Sequence, residues 1–140
     1  MTVFKSTDLK ETEELGRRIA SSLQGTEVIA YFGGLGIGKT TLTRAIAEAL
    51  GTEDNVSSPT FAIVNEYHSK YNIYHFDMYR VSSWEDLYST GFFDYLDTGI
   101  LIVEWSENIE NALPENSVRI TITKGDNDSE RIFEIEGLEI

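Results

Sequence analysis

The sequence predicts a three-layer α/β/α fold in one domain spanning residues 1–140, with a mainly parallel central sheet and a C-terminal β-hairpin. Three observations carry that expectation. A short apolar run, Thr26-Glu27-Val28-Ile29-Ala30-Tyr31-Phe32, passes through glycines into an amphipathic stretch, which is the order strand, loop, helix. A second run, Ile100-Leu101-Ile102-Val103, is purely apolar and ends in Glu104, as a strand buried on both faces does. Near the C-terminus, Ser117 to Thr123 and Arg131 to Ile135 flank the polar segment Lys124-Gly125-Asp126-Asn127-Asp128 and read as a hairpin.

Taken in order, Ser6-Thr7-Asp8 can cap a helix running to about Leu23. Leu9, Leu15, Ile19 and Leu23 recur there at near-helical spacing, with Thr12 and Glu13 expected to face solvent, and Gln24-Gly25 ends it. After the first strand and its glycines, Thr40 to Leu50 reads as a helix with Leu42, Ile46 and Leu50 four residues apart and Gly51 as its C-cap. Residues 51–59 are a loop, Thr60 to Tyr67 a strand, Lys70 a turn position and Tyr71 to Asp77 another strand. Ser82 or Ser83, followed by Trp84, Glu85, Asp86 and Leu87, opens a helix, and Leu113-Pro114-Glu115 is a turn.

The chain has no cysteine and only two histidines, His68 and His75, which removes disulfides, thiol chemistry and cysteine zinc sites. Any metal is then expected to be a hard ion held by oxygen. The net charge of −13 is unevenly distributed: residues 1–50 are neutral, while residues 51–140 hold five basic against eighteen acidic side chains. An acidic surface forfeits the counterion release that drives nucleic-acid binding, so direct tight binding to RNA or DNA is disfavoured and the excess acid reads either as a surface for protein partners or as a solubilising one. No apolar run approaches a membrane helix and the start lacks an apolar leader, so a soluble, cytoplasmic protein is expected.

Chemistry is concentrated in Gly33-Gly34-Leu35-Gly36-Ile37-Gly38-Lys39-Thr40-Thr41. The spacing Gly-x-x-x-x-Gly-Lys-Thr lets backbone N–H groups wrap a polyphosphate, with the helix dipole behind them. Lys39 can reach the β- and γ-phosphates of ATP and the Thr40 hydroxyl can ligate Mg²⁺. A P-loop NTPase also needs a carboxylate closing a buried strand, and two candidates exist, Asp77 after Ile73-Tyr74-His75-Phe76 and Glu104 after the apolar run. Parallel strands would deliver both to one edge of the sheet, and the more alternating Asp77 strand fits a position further out. Arg80 is balanced between contacting phosphate and pairing with Asp77 or Asp86, His75 reads as a packed strand histidine, and Trp105 either covers nucleotide or caps the core.

Other P-loop classes fit less well. No Asn-Lys-x-Asp guanine reader occurs, and the glycines at 34, 36 and 38 do not form a Gly-x-Gly-x-x-Gly dinucleotide fingerprint. A small-molecule kinase remains an alternative although only Arg80, Arg119 and Arg131 follow the loop and its helix, and so does an adaptor that binds nucleotide without hydrolysing it.

The segments Gly34-Leu35-Gly36-Ile37-Gly38-Lys39-Thr40-Thr41, Ser58-Pro59-Thr60-Phe61, Tyr74-His75-Phe76-Asp77-Met78-Tyr79-Arg80 and Val103-Glu104-Trp105, with Glu85-Asp86-Leu87 and Gly91, resemble the bacterial TsaE (YjeE) family in order and spacing. Gly34 departs from the family, many of whose members carry aspartate there. The resemblance implies a Mg²⁺-dependent ATPase, weak alone, that supports threonylcarbamoylation of adenosine 37 in tRNA by docking on the TsaD–TsaB transferase complex. It implies that Lys39 binds phosphate, that Thr40 and Glu104 ligate Mg²⁺, and that Thr60 and Asp77 belong to switch-like and metal-proximal elements. By the same resemblance Trp105 lies beside the nucleotide, and Asp8 and Glu130 flank the adenine side.

Overall fold

The structure, a computed structural model, describes residues 1–33, 38–57 and 64–140. A short strand β1 (Thr2–Ser6) leads into helix α1 (Leu9–Ser22), then β2 (Val28–Phe32) and α2 (Lys39–Ala49). An outer pair, β3 (Val64–His68) and β4 (Asn72–Asp77), is followed by short helices α3 (Trp84–Ser89) and α4 (Phe92–Tyr95). The strand β5 (Ile100–Glu104) runs into a 3₁₀ segment, Ser106–Ala112, and β6 (Val118–Lys124) and β7 (Arg131–Glu136) close the chain.

All seven strands form one sheet in the order β1-β7-β6-β2-β5-β4-β3. Its centre, β6-β2-β5-β4, is parallel, and β1, β7 and β3 add antiparallel edges. Because side chains alternate across a strand, neighbouring residues of β2 and β5 enter different cores. Ile29, Tyr31, Ile100 and Ile102 meet Leu15 and Ile19 of α1 and Leu42 and Ile46 of α2. Val28, Ala30, Leu101 and Val103 meet Phe76, Leu87, Phe92 and Ile109 on the other face. Two buried faces explain why these strands are continuous apolar runs, and they make the three layers expected from the sequence. The parallel strands bring the ends of β2, β4 and β5 to one edge, and β4 lies one place further out than β5.

Two expectations for α1 are corrected. Thr12 is buried, because it lies on the same helical face as Leu15 and Gly16, and its hydroxyl is satisfied by Ser6 Oγ at 2.6 Å. Leu9, at the first position of the helix, is 59% exposed and outside the core. Asp8 does cap the helix, its carboxylate accepting the Glu11 N–H at 2.8 Å. The strand β1 was not expected from the sequence; it pairs with β7 along its whole length.

Candidate functional site

The phosphate-loop motif leaves β2 at Gly33 and re-enters the described structure at Gly38. Gly33 has a φ of +118°, and a Cβ built on it would fall 2.3 Å from the Ile122 carbonyl oxygen, so only glycine fits the exit from β2. Gly38 caps α2 in the left-handed region with φ +101°, which sets Lys39, Thr40 and Thr41 in the first turn of the helix. Of the candidate loop residues, Gly36 and Ile37 lie outside the described residues, as does Thr60.

Lys39 is only 3% exposed, and its Nζ donates to the Gly33 carbonyl at 2.7 Å, so the ammonium is folded back onto the residue that follows β2. The same ammonium sits 5.7 Å from the Trp105 ring centroid, a cation–π contact. Trp105 holds this position because it turns into the left-handed region (φ 59°) directly after β5 and starts the 3₁₀ segment. Tyr79 packs edge-on to it at 5.0 Å. The Lys39 turn is anchored from below, where Thr43 Oγ1 donates to the Lys39 carbonyl at 2.8 Å and meets the buried Tyr31 hydroxyl at 2.9 Å. Burial pushes the Tyr31 phenol far above its ordinary range, so it stays a neutral structural group.

Asp77 and Glu104 are direct partners in the β4–β5 register, side by side at the same edge of the sheet. Asp77 Oδ1 accepts the Tyr79 N–H at 2.9 Å, fixing the turn after β4, while the Met78 N–H bonds to the Glu104 carbonyl at 3.0 Å. Glu104 is 8% exposed, and its Oε2 accepts from His75 Nε2 at 2.6 Å. His75 is fully buried, its Nδ1 lying 3.2 Å from the Tyr67 hydroxyl, which donates to the Ser57 carbonyl at 2.7 Å. A hydrogen-bonded chain therefore runs from Glu104 through His75 and Tyr67 to Ser57. The expected packing of His75 holds, and it carries a contact the sequence did not foretell.

Two further residues enter the site unannounced by any motif. Glu107 Oε2 accepts the Gly33 N–H at 3.2 Å. Arg131 lies near Gly38, where a built Cβ would come 3.9 Å from its Cγ. Its guanidinium donates from Nη1 to the carbonyls of Asp128 and Glu130, while its buried Nε has no hydrogen-bond partner among the described residues. Arg80, a candidate from the sequence, is exposed and pairs with neither Asp77 nor Asp86. Asp86 instead takes the Ser82 N–H and hydroxyl.

Asp8 and Glu130 lie on the β1–β7 side rather than with the two strand-end carboxylates. Asp8 caps α1, and Glu130 Oε2 accepts the Asp126 N–H at 2.9 Å while Oε1 pairs with Lys5 at 3.3 Å. The Asp126 N–H and then Lys5 hold the Glu130 carboxyl below its usual range. Among the described residues no group of three or more His, Asp or Glu is placed to hold a metal unaided. The adjacent carboxylates of Asp77 and Glu104 are oxygen donors of the kind that Mg²⁺ takes one or two of, with phosphate and water as its other ligands.

A buried lysine at the mouth of a strand–glycine loop–helix unit, with carboxylates ending the neighbouring parallel strands, defines an α/β protein of the P-loop class. Residues 6–133 match the family model described as "Threonylcarbamoyl adenosine biosynthesis protein TsaE". The chain belongs to the TsaE family. A relative from Rickettsia prowazekii named tRNA threonylcarbamoyladenosine biosynthesis protein TsaE is 36% identical over 120 residues, 84% of this chain and 83% of the relative. One of the same name from Bacillus subtilis is 36% identical over 138 residues, 96% of this chain and 85% of the relative. A crystal structure of Bacillus subtilis YdiB superimposes with a TM-score of 0.71 at 31% identity, covering 94% of this chain and 82% of that one. No helix among the described residues is long and apolar enough to cross a membrane.

Proposed function

We propose that this chain is the ATP-binding and ATP-hydrolysing component of tRNA threonylcarbamoyladenosine formation, acting on a TsaD–TsaB transferase complex rather than on tRNA itself. The relatives' names supply the pathway, and the pairing of Asp77 with Glu104 beside the Lys39 helix is the observation that supports hydrolysis. Mg²⁺ would be held by Thr40 with Glu104 or Asp77 and would neutralise charge on the phosphates.

The chain's own residues would do the rest. Lys39, released from the Gly33 carbonyl, places its ammonium on the terminal phosphates, and Trp105 shields it from water on one side. Whichever carboxylate is not on the metal orients the attacking water and accepts its hydrogen bond. Arg131 Nε is a buried donor beside the loop that a ligand would satisfy. Among the described residues no arginine forms an ion pair with Asp77 or Glu104: Arg119 pairs with Glu110 and covers Phe32, and Arg80 is exposed. A site lacking that positive charge is expected to turn over slowly until a partner completes it.

The test is phosphate release with and without the TsaD–TsaB complex, and equal rates in both conditions would sink the reading. Lys39→Ala should weaken ATP binding by about 10–100-fold, the worth of a charge-assisted contact or two. Glu104→Gln should lower turnover more than ATP affinity, and full activity in that variant would move the metal role to Asp77.

A further inference from the structure

Of the face built by α3, α4 and the 3₁₀ segment, Glu107 is the residue that bonds to the phosphate-loop motif, at the Gly33 N–H. Trp84 and Tyr88 are 54% and 67% exposed. They cluster with Phe93, Trp84 stacking on it at 6.4 Å and Tyr88 lying 5.1 Å from it. Large aromatics grouped in water mark interaction sites more often than single ones do. Beside them a cleft of about 280 Å³ lies between residues 81–87 and 107–112, with Trp84 and Leu87 on one wall and Glu107 and Ile109 on the other. Its walls start two residues beyond Tyr79 and Trp105, and Glu107 also holds the Gly33 N–H, so the cleft adjoins the phosphate loop.

The charge of this face is one-sided. Between Arg80 and Arg119 the chain has no Lys, Arg or His, and α3, α4 and the 3₁₀ segment carry Glu85, Asp86, Asp94, Glu107 and Glu110. Asp86 is engaged by Ser82 and Glu110 by Arg119, whereas the exposed Glu85 and Asp94 have no ion pair among the described residues. We propose that this aromatic, acidic face is the docking surface for a basic segment of a protein partner, one presenting Lys or Arg beside aliphatic or aromatic side chains. Aromatic anchors ringed by uncompensated carboxylates are complementary to such a segment. A second copy of this chain would bring acid against acid at a net charge of −13 per copy, and RNA phosphates would be repelled as well. On the functional reading above the partner is the TsaD–TsaB complex, and the proposal rests on that reading for the partner's name only.

The test measures affinity for the TsaD–TsaB complex by calorimetry. Trp84→Ala with Tyr88→Ala should weaken binding about tenfold or more, and the Phe pair at the same positions should restore most of it. Glu85→Lys with Asp94→Lys should weaken binding at low salt and much less at high salt, while ATP affinity stays unchanged in every variant. Unchanged partner affinity in both the aromatic and the charge variants overturns the docking proposal and leaves the functional reading standing. A wild-type chain that ignores the complex overturns the functional reading instead, and a synthetic peptide alternating Arg and Leu then decides the surface. Trp84 and Trp105 are the only tryptophans, so in Trp105→Phe the emission reports Trp84. A salt-sensitive shift lost in Glu85→Lys with Asp94→Lys supports the proposal, and no shift overturns it. Sedimentation as a dimer that Trp84→Ala with Tyr88→Ala dissolves would make a second copy the occupant and overturn it too.

Discussion

In the proposed function, the value of Glu104 as a metal ligand depends on how firmly its carboxylate is aimed. Oε2 is held by His75 at 2.6 Å, and His75 is held by Tyr67, which reaches the Ser57 carbonyl immediately before Ser58-Pro59-Thr60 in the sequence. Groups that hold a metal ligand by hydrogen bonds affect activity without touching substrate, commonly by about 10–100-fold. His75→Leu is therefore expected to lower kcat for ATP hydrolysis by roughly that factor while the affinity for ATP changes little. His75→Gln, whose amide can still donate to the carboxylate, should recover part of the loss. Equal loss in both variants, or a fall in affinity matching the fall in kcat, would make His75 a packing residue and no more. The sequence shows Lys39, Asp77 and Glu104 because a motif and two strand ends mark them. It does not show Glu107, Tyr67 or Arg131, whose roles arise from contacts between residues up to 93 apart in the chain, as between Gly38 and Arg131.

At the level of elements, legibility follows how local the cause of each element is. The strands β2 and β5 and the helices α1 and α2 announce themselves through apolar runs, apolar spacing and capping residues, all of which lie within the element. The strand β1 does not: in Thr2-Val3-Phe4-Lys5-Ser6 the Val3 side chain is 60% exposed, and what makes the segment a strand is its pairing with β7 at the far end of the chain. The 3₁₀ segment is equally silent, since it begins at a left-handed tryptophan that no propensity favours. The contact between α1 and α2 makes a sharper test. A Cβ on Gly16 would fall 2.5 Å from Ala45 Cβ and 2.8 Å from the Ala45 backbone carbon, so the two helices touch through a missing side chain. Ordinarily glycine to alanine inside a helix stabilises by about 0.5–1 kcal/mol. Here overpacking should reverse the sign, and Gly16→Ala is expected to lose about 1–3 kcal/mol in denaturant unfolding. A more stable variant would show that the helices separate at no cost.

The whole molecule carries its −13 charge on a fold in which several carboxylates are fixed by backbone amides. The His68 N–H holds the Asp54 carboxyl below its ordinary value of 3.8, the Ser82 N–H does the same for Asp86, and the Asp126 N–H, with Lys5 beside it, lowers Glu130 from 4.5. A carboxyl whose folded pKa lies below its unfolded value binds fewer protons when folded, so it favours folding above the unfolded value. That contribution is lost as pH falls through the folded value. The mutual repulsion of the acidic surface works the other way, since acid relieves it. The two effects are separable at Glu130, because Glu130→Gln removes the ionisable group while its amide oxygen can still accept the Asp126 N–H. The melting temperature of the wild type should exceed that of Glu130→Gln at neutral pH, and the gap should narrow as pH falls below about 4.5 and close once it passes the lower folded value. Raising salt should narrow the neutral-pH gap as well, because the Lys5 ammonium that pairs with Glu130 is half exposed and screened. A gap that persists at low pH would mean that the introduced amide fails through packing, and that charge is not what Glu130 contributes to the hairpin.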